Sequence, residues 1–182
     1  MIKSIKKLTA LIALVAVFFS CNQEPSLQTY FVDNELKPGF TTADIPKSVL
    51  NIDPKSLSEE EQEALNSIDK LNMLAFVISE NNKQQYKEEL QKLKNILKAP
   101  MYEQLIRGGN DIDGKFMVNF VGDEDHIDEL ILFGYSDDKG FTVVRVLGDD
   151  MSLNKMIKLQ SVVQKADIKE ESFKEFSKFL KL

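Results

Sequence analysis

The sequence predicts an α+β fold: a single domain with a mainly antiparallel sheet of about five strands and helices packed against it. Short apolar segments of strand length alternate along the chain with segments whose apolar residues recur at helical spacing. Two strand-like segments, residues 129–135 and 141–147, are joined by a short link containing Gly140, which is typical of a β-hairpin. No internal repeat and no linker-like composition divides the chain, so one domain is expected.

The N-terminal part of the domain contains one ambiguous segment and one strand. Ser26–Asp33 is compatible with a short helix or with an extended arm, and its residue pattern leaves both open. Phe40–Ile45 is predicted to be a strand, because it follows the turn signal Pro38-Gly39 and is ended by Pro46.

A well-marked helix and a buried strand come next. The helix is predicted at about 58–68, since Ser58 followed by Glu61 is a capping box that satisfies the free N–H groups of a helix start. Leu71–Ile78 is a nearly continuous apolar run of strand length, which indicates that both of its faces are covered. We therefore place this strand centrally in the sheet.

A second helix is predicted from Asn82 to about Leu97, with one apolar stripe along it. Pro100 should break or kink this helix. A further helical turn or two is expected over Tyr102–Ile106, before the pair Gly108-Gly109. The stripe consists of Tyr86, Leu90, Leu93 and Leu97.

The C-terminal part is predicted to hold three strands followed by two helices. Phe116–Val121 alternates moderately, and the hairpin described above supplies the other two strands. Residues 152–164 and 170–180 carry apolar residues in helical patterns. Both helices are expected to pack on the sheet.

The first twenty residues have the layout of an export signal. Lys3, Lys6 and Lys7 form a basic start, and Leu8–Phe19 is mostly apolar. A spanning helix needs roughly 20 apolar residues, so this shorter segment is interpreted as a signal that is removed. The only cysteine of the chain, Cys21, follows directly after a small residue.

Cys21 is therefore predicted to be the lipidated first residue of a bacterial lipoprotein. The predicted organisation is a signal peptide at 1–20, a lipidated tether at 21–25 and the α+β domain at 26–182. Two or more acyl chains anchor a protein stably, whereas a single chain does so only marginally. Lipidation would leave no thiol for a disulfide, a zinc cluster or a nucleophile.

The charge balance argues against a nucleic-acid partner. Removal of residues 1–20 leaves 20 basic and 29 acidic residues, a formal charge of −9. The lysines are interleaved with glutamates, whereas clustered Lys and Arg supply most non-specific affinity for DNA. The membrane, through the lipid on Cys21, and an envelope protein are the expected partners.

One acidic segment is a weak candidate for a metal site. The segment 123–129 contains Asp123, Asp125 and the only histidine, His126, and carboxylates beside an imidazole can bind a divalent cation. A solvated turn or a single helical turn between two strands explains the same residues, and no second histidine is available for a zinc site. No metal and no cofactor are expected.

Two other acidic segments have simple structural interpretations. Residues 110–114 partly match a calcium loop, but its first and twelfth positions would be Gly109 and Phe120, which have no side-chain oxygen. A turn into the following strand is predicted there instead. Asp149 and Asp150 precede a predicted helix and are expected to cap its N-terminus.

The residues also argue against common enzyme classes. A serine or cysteine hydrolase needs a nucleophile and a base, yet His126 is the only imidazole and Cys21 is assigned to lipid. Gly108-Gly109 lies in no dinucleotide-binding or P-loop motif, so nucleotide binding is disfavoured. No catalytic residue is predicted, and His126 is expected not to be catalytic.

Several stretches resemble the family called domain of unknown function 4252. The resemblance is carried by residues 129–135, 140–150 and 151–159, and residues 26–33 and 70–76 fit it. The resemblance implies an exported Gram-negative lipoprotein. It implies no reaction, cofactor or catalytic residues.

The leading functional hypothesis is a non-enzymatic envelope lipoprotein, at the outer membrane and facing the periplasm, whose domain binds a protein or another envelope partner. The alternative is a small-ligand or metal-binding periplasmic domain that uses the acidic segment 123–129. A hydrolase built on two carboxylates would need acids that face each other with split pKa values. The sequence identifies no such pair.

Overall fold

The computed structural model describes residues 25–47 and 52–164. Over these residues it contains four α-helices, six β-strands and a short 3-10 turn at Pro54–Ser56. The helices are α1 (Leu27–Asn34), α2 (Glu59–Asn66), α3 (Lys83–Ile96) and α4 (Leu153–Gln164). The strands are β1 (Phe40–Ile45), β2 (Ile68–Val77), β3 (Glu103–Asn110), β4 (Gly114–Gly122), β5 (Ile127–Ser136) and β6 (Gly140–Met151).

The six strands form one sheet in the order β1-β2-β6-β5-β4-β3, and every neighbouring pair is antiparallel. The predicted α+β class is therefore confirmed, with one strand more than expected. β2 lies between β1 and β6, and Met73, Leu74, Ala75 and Phe76 are all buried in succession. Both faces of β2 are covered, as its continuous apolar run indicated.

The additional strand is β3, where a helical turn was predicted over Tyr102–Ile106. That prediction is wrong, because Glu103–Asn110 pairs with β4 through the register Arg107 to Met117. β3 is an edge strand with mostly exposed side chains, so it lacks the apolar alternation that marks a strand in a sequence. Gly108 lies inside it, where a Cβ atom would meet the Phe116 ring at 2.8 Å.

Helices α1 and α3 cover the first face of the sheet. The segment at 26–33, which the sequence left open, is helical, and Ser26 caps it by accepting a hydrogen bond from the backbone N–H of Thr29 at 3.1 Å. The Tyr86 hydroxyl of α3 donates to the Ser136 carbonyl at 2.7 Å, and burial raises the pKa of Tyr86 to about 12. The strand residues of this core are Leu74, Phe76, Ile131, Phe133, Phe141 and Val143.

Helices α2 and α4 lie together on the second face. The predicted capping box is confirmed: Glu61 N donates to Ser58 Oγ at 3.3 Å, and Ser58 N donates to Glu61 Oε2 at 2.7 Å. The Ser161 hydroxyl of α4 donates to Glu61 Oε1 at 2.7 Å, which joins the two helices. Leu153, Met156 and Leu159 pack against a core of Ile68, Phe120, Ile127, Val146 and Met151.

The predicted capping role of Asp149 and Asp150 is wrong. β6 extends to Met151, so both aspartates are strand residues and lie before the helix start. Ser152 directly precedes α4, and its Oγ accepts from the Lys155 backbone N–H at 3.4 Å. Asp150 Oδ2 accepts a hydrogen bond from the Lys155 side chain at 2.5 Å instead. The helix predicted at 170–180 lies outside the described residues.

Candidate functional site

The first four residues of the acidic segment 123–129 form a tight turn between β4 and β5, and its last three residues begin β5. Asp123 Oδ1 accepts from the backbone N–H groups of Asp125 at 3.0 Å and His126 at 2.9 Å. The hydrogen bond from the His126 backbone has the largest effect in lowering the pKa of the Asp123 carboxyl, followed by the bond from Asp125. The His126 side chain is 77% exposed, and its Nδ1 lies 3.5 Å from Asp123 Oδ1.

The metal candidates Asp123, Asp125 and His126 therefore lie together in an exposed turn between two strands, which is the structural interpretation given for them from the sequence. Among residues 25–47 and 52–164, no group of three or more His, Cys, Asp or Glu side chains is arranged to hold a metal ion. The segment 110–114 forms the β3–β4 turn, in which Asn110 Oδ1 accepts from the backbone N–H groups of Ile112 and Asp113.

A buried ion pair on the first face was missed by the sequence analysis. Arg145 of β6 donates to both carboxylate oxygens of Glu129 on β5, at 2.6 and 2.9 Å, and both side chains are largely buried. The Arg145 guanidinium also lies 5.3 Å from the centroid of the Phe31 ring. The sequence signal was an arginine inside an otherwise apolar strand. Because its charge is neutralised, Arg145 serves the packing of the domain.

A second buried carboxylate, Glu89 of α3, is also fully paired. The Tyr30 hydroxyl donates to Glu89 Oε2 at 2.8 Å, and Lys92 Nζ contacts Glu89 Oε1 at 2.7 Å. Burial, followed by the contact with Glu89, raises the pKa of Tyr30. This group joins α1 to α3 and leaves the Glu89 carboxylate occupied.

An open cleft lies on the first face where α3 ends and β3 and β4 remain uncovered. Its volume is about 570 Å³. We call it the cationic cleft, because three of its lining side chains are Lys94, Lys98 and Arg107. No pattern in the sequence indicates this cleft, since its residues come from a helix end and three strands. The other lining residues are Leu97, Tyr102, Gln104, Met117, Asn119 and Tyr135.

An apolar strip lies on the second face, beyond the part that α2 and α4 cover. We define the strip as Ile106, Phe116, Val118 and Leu132. Ile106, Val118 and Leu132 stand opposite one another across β3, β4 and β5. Ile106 is 51% exposed, Phe116 46% and Leu132 40%. An edge strand, β3, borders the strip.

The chain matches a known protein family. Of the helices in residues 25–47 and 52–164, none combines the length and apolar character needed to cross a membrane. No curated protein and no solved structure matches the sequence. The family described as "Domain of unknown function (DUF4252)" matches residues 35–159, which is more than half of the chain and includes β5, β6 and most of α4. The protein therefore belongs to the DUF4252 family.

Proposed function

We propose that this protein is a lipid-anchored envelope protein at the outer membrane, facing the periplasm, whose DUF4252 domain binds another envelope protein and catalyses no reaction. The anchor is Cys21. The basic and apolar residues before it have the layout of an export signal, and its position directly after that segment supports lipidation. The partner would bind at the edge of the sheet formed by β3 and the apolar strip.

The exposed edge of the sheet is the observation that carries the binding role. On its outer side β3 has no strand partner among the described residues, so its backbone N–H and C=O groups on that side are open to a further strand. Strand addition uses such an edge for main-chain hydrogen bonds and pockets beside it for side chains. Ile106 and Phe116 place large exposed apolar side chains next to this edge.

The partner that fits this edge is a protein segment in an extended conformation with apolar side chains on one side. Its backbone would pair with β3, and its apolar side chains would cover Ile106 and Phe116. The bulge between Gln104 and Ile106 interrupts pairing near the start of β3. The segment from Ile106 to Asn110 is therefore the part of the edge that would receive the partner.

The anchor is tested by replacing Cys21 with Ser and fractionating cells. We expect the parent protein in the membrane fraction after a high-salt wash and the Cys21→Ser protein in the soluble fraction, because the serine hydroxyl cannot carry the thioether-linked lipid. Metabolic labelling with a fatty acid should mark the parent alone. Membrane retention of unlabelled Cys21→Ser protein would contradict the anchor.

The partner site is tested by placing a photo-crosslinking residue at Ile106 in intact cells. The matched control position is Val32, which is 63% exposed on α1 and far from the strip in the chain. We expect one envelope protein to be crosslinked from position 106 and also from Phe116, but not from Val32. The crosslinked envelope protein, once purified, should bind the Leu132→Lys variant about tenfold more weakly than it binds the parent DUF4252 protein, because the lysine would place a charge in an apolar contact.

The same experiment distinguishes other occupants of the strip. Crosslinks from position 106 to residues 165–182 of the same chain, or to a second copy of the protein, would contradict binding of a different envelope protein. Equal crosslinking of the same protein from position 106 and from Val32 would also contradict it, since the contact would not be specific to the strip.

A further inference from the structure

The cationic cleft has a charge opposite to that of the whole protein. The chain carries a formal charge of −6, yet the lining of the cleft includes three basic side chains and no aspartate or glutamate. In the described part of the chain, Lys94, Lys98 and Arg107 belong to no ion pair, whereas Arg145 is paired with Glu129. A concave surface lined by one sign of charge attracts ligands of the opposite sign.

The oxygen of one buried amide in the cleft lacks a hydrogen-bond partner among the described residues. Asn119 of β4 is only 2% exposed, and its Oδ1 atom has no hydrogen-bond partner among residues 25–47 and 52–164. Buried polar atoms in proteins almost always have a partner, so an exception needs an explanation. Because Oδ1 only accepts hydrogen bonds, a ligand would satisfy it with a donor such as a hydroxyl.

Tyr102 and Tyr135 add polar and aromatic walls to the cleft. The Tyr102 oxygen accepts from the Leu27 backbone N–H at 2.8 Å, and burial raises the pKa of Tyr102, so the hydroxyl keeps its proton at neutral pH. That proton makes Tyr102 a donor towards an anion. Lys94 Nζ lies 4.1 Å from the centroid of the Tyr135 ring, a cation–π contact that holds the ammonium at the wall.

We propose that the cationic cleft binds a small phosphate ester that carries hydroxyl groups. A phosphate monoester has a charge of about −1.5 to −2 at neutral pH and three strong acceptor oxygens, and a diester keeps about one negative charge on two such oxygens, so the three cations would attract either group. The planar guanidinium of Arg107 matches phosphate geometry. A hydroxyl of the ester would donate to Asn119 Oδ1. The cleft volume of about 570 Å³ is typical of small-molecule sites.

The glycerol phosphate group is the simplest ligand with this chemistry, and it can come from a soluble metabolite or from a lipid headgroup. Tyr102 holds the start of α1 through Leu27, which is the sixth residue after Cys21. Six extended residues span at most about 20 Å. If the proposed anchor holds, headgroups of the same membrane lie within this distance of α1. Binding of a soluble ester does not depend on the anchor.

The proposal is tested by calorimetric titration of the full chain in an uncharged detergent. The first probe is glycerol 3-phosphate, with glycerol as its uncharged counterpart. The second is dihexanoyl phosphatidylglycerol, compared with dihexanoyl phosphatidylcholine. We expect saturable binding of one phosphate probe and none of glycerol or the choline lipid. If glycerol 3-phosphate binds more tightly, the ligand of the cleft is a soluble ester. If dihexanoyl phosphatidylglycerol binds more tightly, the ligand is a lipid headgroup.

The variants separate a binding role from a structural one. Lys98→Gln and Arg107→Gln should each weaken binding about tenfold through the loss of a charge-assisted hydrogen bond. Lys87→Gln, the same change at an exposed position of α3 outside the cleft, should not alter affinity. Asn119→Leu should weaken binding while the melting temperature stays equal or rises, because a buried amide oxygen without a partner is replaced by an apolar group.

Three outcomes would overturn the proposal. The first is that neither phosphate probe binds. The second is that Lys87→Gln weakens binding as much as Arg107→Gln, which would indicate general charge attraction. The third is that a folded Asn119→Leu variant binds with unchanged affinity. If Asn119→Leu does not fold, the proposal is judged by the affinities of Arg107→Gln and Lys87→Gln. Weaker binding by Arg107→Gln alone supports it, and equal weakening by both contradicts it. None of these results depends on Cys21 or on the apolar strip.

Discussion

Replacing Gly140 with Ala is expected to destabilise the domain by roughly 3 kcal/mol or more. Gly140 begins β6 with a φ of +115°, a conformation that residues with a Cβ atom rarely adopt. A Cβ atom there would lie 1.9 Å from the Phe76 carbonyl oxygen, which belongs to the backbone of β2. Relief would require β2 and β6 to separate. Urea unfolding followed by circular dichroism measures the loss.

Gly134→Ala is the matched control for Gly140→Ala. Gly134 lies inside β5, its φ is not positive, and a Cβ atom there would meet nothing within 4 Å. We expect this variant to equal or exceed the parent in stability by roughly 0.5 kcal/mol, since glycine weakens a strand interior. Equal destabilisation by both variants would contradict the account given for Gly140.

Replacing Arg145 with Met is expected to lower the free energy of unfolding by about 3 kcal/mol at neutral pH. The change leaves the Glu129 carboxylate largely buried without the two hydrogen bonds that it now accepts at 2.6 and 2.9 Å. An uncompensated buried charge is more destabilising than the loss of the pair itself, because the desolvation cost of Glu129 remains. The measurement is again urea unfolding.

The double variant Arg145→Met with Glu129→Leu tests this reason. Removing both charges should restore most of the stability lost in Arg145→Met, because apolar side chains of similar size often replace a buried pair without loss. If the double variant were as unstable as the sum of the two single variants, the charges would not be coupled and the explanation would fail.

The two proposed binding surfaces lie on opposite faces of one sheet. The cationic cleft is formed on the first face by the end of α3, and the apolar strip lies on the second face beside β3. β3 contributes to both, through Arg107 and Ile106, which are successive residues and so point to opposite faces. A ligand and a protein partner could therefore occupy the domain together, and substitutions on one face should leave the other intact.

The sequence by itself determined the features that depend on neighbouring residues. The capping box of Ser58 and Glu61 and the hairpin around Gly140 are local patterns, and the structure confirms both. The apolar stripe that predicted α3 is also local, because residues three and four apart lie on the same side of a helix. The resemblance to the DUF4252 family also rested on local stretches, residues 129–135, 140–150 and 151–159. The predicted turn of Asp123, Asp125 and His126 formed for this reason as well.

Only the tertiary structure decided the features that join distant segments. Glu103–Asn110 shows no strand periodicity, because the side chains of β3 are mostly exposed. Only its hydrogen bonds to β4 define it as a strand. Arg145 meets Glu129 because the β5–β6 register brings them together, and no local pattern contains that register. The cationic cleft gathers Lys98, Arg107 and Asn119 from a helix end and two strands. Spacing along the chain does not encode such proximity, since it arises only when the sheet forms and α3 packs across part of it.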